Sequence, residues 1–444
     1  MITQPPAANG RSPDVQCPTV ALGDSIVWYG DEAGTLAGVP FQAVTSRNFM
    51  DRFNAIMGNP LKIVNRAGVS GNTLAQMSVR FATDVAPFKP RLVILEGMSN
   101  DLDSGYSAVQ TWPSLFKIYQ QCQAIGARLL FVGTAAMRRV NGGTPVSPVD
   151  GVQYNESAEF ARMEAFAREA AVVFPGFLYC PMAAGARDYS LSSQETSYGT
   201  PVTGGTSDGT HPLPYQCFLL ATYLAANAGP LFAGAVKRVP TLNGYGTYGD
   251  QATLLQNSLL SGSVAVAGPN SGFAPDNITI STSGLIRALS CSVAARTDGG
   301  PGRKMVVPYS AATLVTNYID IKGSGSYSGV AGVLATMTAG IKLTQTTGQV
   351  LNIIGNLQFL DASFAILAQT FFGRPHSTQT ADVMNLPTAQ TYDLGHMSTI
   401  PYAIPAGTVN FLVSLRVYTT VGATGTLEIV NFDTRLDNVS AIVK

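Results

Sequence analysis

The sequence TVALGDSI at residues 19–26 opens the region that decides the fold. A short apolar run that ends in glycine and polar residues is typical of a buried parallel strand followed by a turn. Three later segments repeat this pattern: KIVNRAG (62–68), RLVILEG (91–97) and RLLFVGT (128–134). Stretches with the apolar spacing of helices lie between and after these strands, at residues 46–57, 73–85, 107–126 and 155–174. The alternation predicts successive βα units and therefore an open parallel sheet covered by helices.

The pattern changes after residue 236. Gly, Ser, Thr and Asn interrupt short segments in which apolar and polar residues alternate, such as DNITISTSG (276–284), FLVSLRVYTT (411–420) and TGTLEIVNF (424–432). Alternation with period two between turn residues predicts antiparallel strands. The predicted parts are an N-terminal arm (1–17), an α/β domain (18–236), a linker (237–249) and an all-β, jelly-roll-like sandwich (250–444) that binds carbohydrate or serves as an accessory domain.

Composition excludes several classes of partner. Lysine plus arginine and aspartate plus glutamate each number 27, and only 12% of the residues are charged. Proteins that bind nucleic acid or an anionic membrane surface need a basic patch, so neither partner is expected. The low charge and the 45 glycines favour a protein that works outside the cytoplasm, in the medium, at a cell surface or on a virion.

Targeting and redox segments are not visible in the sequence. Residues 1–16 lack the apolar run of a secretory signal peptide, so export would use another route or follow removal of a leader. The longest apolar run, residues 217–229, is too short for a membrane span. The five cysteines form no CxxC pair, which favours buried thiols over a zinc ribbon or a disulfide framework.

Histidine is scarce, which narrows the search for a catalytic base. Of His211, His376 and His396, only His211 lies in the predicted α/β domain. Asp208 precedes it by three residues in SDGTHPLP, and a tight turn of this length can bring the carboxylate to Nδ1 and leave Nε2 free to take a proton. An isolated DxxH motif is weak evidence for a catalytic pair. The alternative is that Asp208 is a turn residue and His211 caps the following helix.

The candidate nucleophile is Ser25, at the end of the first predicted strand. A serine hydroxyl is a poor nucleophile until a base removes its proton, so its role depends on His211. The segments after the next two strands offer oxyanion donors: the backbone of Gly68 or Gly71, and the side-chain amide of Asn100. Each residue alone is as readily a turn former or a helix cap. Their coincidence at one sheet edge favours a catalytic site.

Four segments, in the order GDSI (23–26), GVSGNT (68–73), GMSND (97–101) and DGTHP (208–212), resemble the sequence blocks of the SGNH hydrolases, also called the GDSL-type esterase and lipase family. The resemblance covers roughly residues 18–230 and implies a flavodoxin-like, three-layer α/β/α domain. One departure is that the family usually shows Gly-x-Asn-Asp, whereas Gly97 stands one residue further from Asn100.

The resemblance also implies a role for each candidate residue. Ser25 would be the nucleophile, His211 the base and Asp208 the partner of the base. The backbone N–H groups of Ser25 and Gly71 and the Asn100 amide would form the oxyanion hole. The sequence has no HExxH, P-loop or GxSxG motif and no clustered histidines, so neither a metal nor another cofactor is expected.

The function expected is that of a serine esterase acting through an acyl-enzyme. Many relatives with such an appended module remove acetyl groups from carbohydrates, so the resemblance implies an acetylated polysaccharide as the substrate. A lipase or acylesterase acting on other esters is the alternative. A third possibility, from another class, is a mainly structural glycan-adhesion protein such as a phage tail component, which would favour a homotrimer. The two roles are compatible if the esterase edits the glycan that the second domain binds.

Overall fold

A computed structural model describes residues 17–135, 145–187, 206, 208, 210–232, 260, 262–266, 270–282, 286–288, 290–297, 303–311, 318–329, 331–373 and 386–437. The chain divides into two compact units. Unit 1 comprises Met1–Gly30 and Arg47–Lys237, and unit 2 comprises Asp31–Ser46 and Arg238–Lys444. The predicted linker and, apart from Cys17, the predicted N-terminal arm lie outside the described residues.

The described part of the chain begins with β1 (Cys17–Gly23), the short helix α1 (Ser25–Trp28) and a hairpin of β2 (Asp31–Leu36) and β3 (Val39–Val44). The other helices and strands of unit 1 are α2 (Phe49–Ile56), β4 (Leu61–Gly68), α3 (Leu74–Asp84), β5 (Leu92–Glu96), α4 (Ser99–Asp103), α5 (Ala108–Ala124), β6 (Arg128–Gly133), α6 (Glu156–Val173), β7 (Phe177–Tyr179) and α7 (Pro214–Ala228). Single 3₁₀ turns occur at Ala86–Phe88, Met182–Gly185 and Gly229–Phe232.

Unit 1 is built on one parallel sheet. Its strand order is β4-β1-β5-β6-β7, and every neighbouring pair is parallel. Counting only these five strands, the order is 2-1-3-4-5, that of flavodoxin-like folds. Every residue of β5 is buried, as expected for a sheet covered by helices on both faces. The predicted α/β fold is confirmed, and the strand order reverses beside β1, where such folds bind their ligands.

The helices of unit 1 begin at residues that a sequence can specify. The Thr73 side chain accepts the N–H of Gln76 and the Gln76 side chain accepts the N–H of Thr73, which forms a capping box at α3. Ser107 and Gln110 do the same at α5. Each such cap contributes about 1 kcal/mol. These starts hold the helices in register with the strands that precede them.

Unit 2 consists mostly of antiparallel strands. After the hairpin they are β8 (Val264–Ala265), β9 (Phe273–Ala274), β10 (Ile278–Thr282), β11 (Ile286–Ala288), β12 (Ser292–Ala295), β13 (Arg303–Ala311), β14 (Tyr318–Ser326), β15 (Leu334–Thr347), β16 (Val350–Leu360), β17 (Ile366–Phe372), β18 (Gln390–Ser398), β19 (Tyr402–Ala403), β20 (Asn410–Thr419) and β21 (Thr424–Asp437). One sheet has the order β10-β14-β20-β16-β17-β3-β2. The other has the order β11-β13-β21-β15-β18, with β12 beside β13 and β19 beside β15. The predicted β-rich second half is confirmed, and its jelly-roll topology stays a prediction.

The hairpin at residues 31–46 belongs to unit 2, although the sequence-based boundaries include it in the α/β domain. β3 lies parallel to β17, with Phe41 opposite Gln369 and Val44 opposite Phe372. Phe41 and Ala43 are buried in a cluster with Ile354 and Phe371, so the apolar face of the hairpin is covered by the sheet that it joins.

Candidate active site

Ser25 is the first residue of α1, directly after β1. Its turn is fixed by Asp24, whose Oδ1 accepts the N–H of Ile26 at 2.9 Å. Gly68, at the end of the neighbouring strand β4, permits α1 to approach closely, because a Cβ at this position would lie 2.2 Å from the backbone nitrogen of Trp28. The nucleophile candidate is therefore held rigidly at the carboxyl edge of the sheet.

Three side chains that the sequence singled out meet at this edge. The Ser25 Oγ lies 3.0 Å from Nε2 of His211, which is 186 residues later in the chain. Nδ1 of the same ring lies 2.7 Å from Oδ2 of Asp208. The other carboxylate oxygen of Asp208 accepts the backbone N–H groups of His211 at 2.8 Å and Thr210 at 2.9 Å. The structure thus places a hydroxyl, an imidazole and a carboxylate in a continuous hydrogen-bonded chain.

The charge of Asp208 decides which imidazole nitrogen carries the proton. Partial burial acts to raise the pKa of the Asp208 carboxyl, but hydrogen bonds from the His211 ring, the His211 N–H and the Thr210 N–H outweigh burial and hold that pKa well below its usual range. An ionised carboxylate can only accept, so Nδ1 of neutral His211 carries the hydrogen. Nε2 is then the acceptor that faces the Ser25 hydroxyl.

Two backbone N–H groups beside this chain have no acceptor among the described residues, those of Ser25 and Gly71. The loop that carries Gly71 is tied to the end of β1, because Val69 N–H donates to the Gly23 carbonyl at 3.1 Å. Gly71 has a φ of 78°, a left-handed conformation, and a Cβ there would meet nothing within 4 Å. Glycine is favoured here for its backbone angle rather than for space.

Asn100, the third expected donor, is already engaged. Its Nδ2 donates to Oδ2 of Asp24 at 2.9 Å and to the Asn72 carbonyl at 3.1 Å. Both partners are acceptors, which fixes the orientation of the amide. An oxyanion would have to share one of these hydrogens. The side chain is therefore close to the nucleophile turn, and its role as an oxyanion donor stays a prediction.

The loop before Asn100 explains the departure from the Gly-x-Asn-Asp pattern. Met98, two residues before Asn100, takes the glycine position with a φ of 94° while fully buried. Such a conformation costs roughly 1–2 kcal/mol for a residue with a side chain. Gly97 has a φ of 150°. The chain thus makes its left-handed turn at a methionine.

Sequence reasoning missed Arg80, which ties two parts of the site together. Its guanidinium donates to the Asn72 side chain at 2.9 Å, to the Gly23 carbonyl at 2.6 Å and to the Asp84 carboxylate at 2.7 Å. Arg80 therefore holds the loop of Gly71 against the end of β1. The only sequence signal is the i,i+4 spacing to Asp84, which is common on helices.

Buried carboxyl groups brace the loops beside Ser25. Asp24 accepts the Ser99 hydroxyl at 3.0 Å, and its own N–H donates to Oε2 of Glu96 at 3.2 Å. Burial, followed by the nearby charge of Asp24, raises the pKa of Glu96 well above its usual range. Burial also raises the pKa of Asp101 to about 7. The Asp101 carboxyl accepts the N–H of Leu74 at 3.0 Å and so fixes the start of α3.

Aromatic side chains follow the nucleophile directly. The rings of Tyr29 and His211 form a T-shaped pair with 4.9 Å between centroids, and Arg47 lies over the Tyr29 ring at 5.6 Å. Trp28 contacts Tyr29 at 5.0 Å but remains 52% exposed. A large aromatic residue left in water three positions after Ser25 is a candidate contact for substrate.

Three observations on the described residues concern metal, membrane and disulfide chemistry. No group of three or more His, Cys, Asp or Glu side chains there could hold a metal ion. No described helix is both long enough and apolar enough to cross a membrane. All five cysteines are free. His376 lies outside the described residues, and His396 lies on β18 in unit 2.

Comparison with known proteins adds the family. The GDSL-like lipase/acylhydrolase family matches the sequence at residues 21–214. Among solved structures, the chain is similar to a GDSL-like lipase from Bacteroides thetaiotaomicron VPI-5482, at 17% identity over 50% of this chain and 92% of that chain, with a TM-score of 0.34. It is also similar to a protein named as an acylhydrolase from Bacteroides fragilis NCTC 9343, at 16% identity over 48% of this chain and 88% of that chain, with a TM-score of 0.35. A third likeness is to the enzymatically active domain of tailspike protein 4 of bacteriophage CBA120, at 12% identity over 36% of this chain and 19% of that chain, with a TM-score of 0.24.

No curated protein matches the chain. Likenesses at these identities and TM-scores carry no inference about substrate. The family match covers the parallel sheet from the end of β1 onward, together with the segments that hold Ser25 and His211. The chain therefore carries a GDSL-like lipase/acylhydrolase domain at residues 21–214.

Proposed function

We propose that unit 1 is a serine esterase in which Ser25 is the nucleophile, His211 the base and Asp208 the partner of the base. The observation that carries this proposal is the 3.0 Å distance between Ser25 Oγ and His211 Nε2. As Oγ bonds to the carbonyl carbon of an ester, Nε2 takes the hydroxyl proton and then returns it to the leaving alcohol. Water, activated in the same way, releases the acid from the acyl-enzyme.

The oxyanion that forms in each step would be bound by the unpaired N–H groups of Ser25 and Gly71. Asn100 would add a hydrogen bond by sharing a proton that it now gives to Asp24 or Asn72. One such donor is worth roughly 3–4 kcal/mol in the transition state. The ties from Arg80 to Gly23 and Asn72 support this arrangement, because donors act best when they are held in place before the reaction.

The proposed substrate is an acetylated polysaccharide. Trp28 supports it, since an exposed indole beside the nucleophile offers a flat apolar face on which a sugar ring can stack. Acetyl groups are small and need no acyl channel. A lipase or acylesterase would depend on contacts along the acyl chain instead. The preferred length of the acyl chain therefore distinguishes the two activities.

The test measures acetate release from acetylated polysaccharides in parallel with cleavage of a series of esters of increasing acyl length. We expect acetate release that Ser25→Ala abolishes and that Ser78→Ala preserves. Ser78 is a matched control, because its hydroxyl donates to the Ala75 carbonyl within α3. Rapid turnover of long-chain esters without acetate release would favour the lipase. Equal behaviour of wild type and Ser25→Ala toward every ester would leave only a structural role.

We further propose that unit 2 holds the protein on a glycan outside the cytoplasm, at a cell surface or on a virion, while unit 1 edits that glycan. The support is the pair of seven-stranded sheets together with a charged fraction of only 12%. A virion-associated protein of this kind would be a homotrimer. Solution mass measured by light scattering tests this: three times the chain mass of 46.6 kDa supports the virion proposal, and a monomer contradicts it.

A further inference from the structure

A cavity of about 130 Å³ opens on one face of the sheet formed by β13, β21, β15 and β18 in unit 2. Along these strands the side chains of Met305 and Leu427 are fully buried. Residues that alternate with buried positions, Gly340, Lys342, Glu428 and Val430, line what we call the sheet-face cavity together with Ile341. Its floor is Gly340, its walls include His396 and Val430, and charged side chains form its rim.

Two features of the backbone shape this cavity. Gly340 lies within β15, where a Cβ would sit 2.5 Å from Cγ2 of Val430 and 3.0 Å from Nε2 of His396. Any larger residue would fill the floor. Opposite it, β18 has a bulge at Leu394 followed by Gly395 with a φ of 69°. Bulges and strand glycines are concentrated where a ligand approaches a sheet closely.

Charges of alternating sign cross the rim from strand to strand. Lys304 on β13 pairs with Glu428 on β21 at 3.0 Å. Lys342 on β15 stands directly between Glu428 and Asp393 in the strand register. Lys342 is exposed and makes no ion pair within the described part of the chain. With Arg296, the rim has three cations and two carboxylates.

We propose that the sheet-face cavity binds one acidic sugar residue, a pyranose that carries a carboxylate. Lys342 would bind the ligand carboxylate, because it is an exposed rim cation that makes no ion pair with a described residue. Asp393 and Glu428 would accept hydrogen bonds from the sugar hydroxyls. A cavity of about 130 Å³ suits a single ring rather than a chain.

A simple anion fits this rim less well than an acidic sugar. The carboxylates of Asp393 and Glu428 would repel phosphate or sulfate, which offer oxygens in every direction, whereas a sugar presents hydroxyl donors to them. Asp393 keeps its oxygen Oδ2 available, since Oδ1 accepts the N–H of Gly395 at 2.9 Å. No residue of the cavity belongs to unit 1, so the inference does not depend on the proposed esterase, and it rests on the proposed binding of a glycan by unit 2.

The test measures binding of glucuronic acid to the full chain by calorimetry and by ligand-observed NMR. We expect Lys342→Gln to weaken binding about tenfold or more, since it removes a charge-assisted hydrogen bond. Methyl glucoside lacks the carboxylate. Its affinity for wild type should be no higher than the affinity of Lys342→Gln for glucuronic acid. Lys117→Gln, which alters an exposed lysine of unit 1, is the matched control and should leave the affinity unchanged.

Asp393→Asn separates sugar recognition from a general attraction for anions. Asn keeps the oxygen that holds Gly395 and loses the charge, so recognition of hydroxyls predicts weaker binding of glucuronic acid. Four results would each overturn the proposal. They are tighter binding of glucuronic acid by Asp393→Asn, displacement of the sugar by equimolar phosphate, an unchanged affinity of Lys342→Gln, and no binding at millimolar sugar. Hydrolysis of a small acetate ester by Lys342→Gln, measured alongside, shows that failure of the cavity and failure of the esterase are separate results.

Discussion

Replacing Asp208 by asparagine tests how the charge and shape of this residue control His211. The carboxylate accepts the Nδ1 hydrogen at 2.7 Å and two backbone N–H groups through its other oxygen. Asparagine keeps one oxygen for those N–H groups and turns an NH₂ group toward Nδ1. Because NH₂ only donates, the neutral ring must carry its hydrogen on Nε2, where it no longer accepts the Ser25 proton.

Two effects add in this substitution. Asp208 is 52% exposed, so its attraction for the imidazolium formed during attack is screened, and at about 4 Å between charge centres it amounts to about 1–4 kcal/mol. Restoring the productive tautomer also breaks the new amide–imidazole hydrogen bond, at about 1 kcal/mol. The sum of roughly 2–5 kcal/mol predicts a fall in kcat of roughly 30-fold to several thousandfold.

The assay is steady-state hydrolysis of a small soluble acetate ester. KM should stay within about threefold of wild type, because Asp208 acts through His211 rather than on the substrate. Asp150→Asn is the control, since Asp150 is an exposed acid of unit 1 whose carboxylate accepts hydrogen bonds from Gln110 and Tyr154. An Asp208→Asn enzyme that keeps more than about a third of the wild-type kcat would show that Asp208 does not control the His211 tautomer during the reaction.

Three further predictions concern the surroundings of the site. Arg80→Ala should lower kcat about 10- to 100-fold with little change in KM, because the loop of Gly71 loses its tie to β1. Arg162→Ala, which removes an exposed guanidinium from α6, should leave kcat unchanged, and equal kinetics of the two variants would contradict the role of Arg80. Trp28→Ala should raise KM about tenfold for an acetylated polysaccharide but not for a small ester, and a uniform loss on both substrates would exclude a stacking role. Burial raises the pKa of Asp101 to about 7 from an ordinary 3.8, so the folded chain holds this proton more tightly than the unfolded chain. This contribution to stability is complete below about pH 4 and is lost as the pH rises through about 7. Over this pH range, Asp101→Asn should therefore lose roughly 2–4 kcal/mol less of its free energy of unfolding than wild type, as measured by urea unfolding. Parallel pH profiles of the two proteins would contradict the raised pKa of Asp101.

The sequence was sufficient for the parallel sheet and for the meeting of Ser25 with His211. Both depend on local signals: apolar runs that end in small residues, and the rule that parallel strands present their carboxyl ends at one edge. A separation of 186 residues between Ser25 and His211 does not matter when the fold class fixes where each segment ends.

What the sequence did not predict depends on partners that are distant in the chain. The hairpin of β2 and β3 pairs with β17, more than 320 residues later, and no local pattern distinguishes it from a connection within the α/β domain. Arg80 acts mainly through a backbone carbonyl and an amide, which leave no charge pattern. The hydrogen bonds from Asn100 to Asp24 and Asn72 likewise follow from the loop path, where Met98 rather than glycine takes the left-handed turn.

The most direct test of the esterase proposal is covalent labelling of the intact chain with a fluorophosphonate, followed by mass spectrometry of its peptides. The reagent reacts with serines whose hydroxyl is activated by a base. If Ser25 is activated by His211, Ser25 should be the single labelled residue, and His211→Ala should lose the labelling. Label on another serine, or labelling of His211→Ala at the wild-type rate, would contradict it.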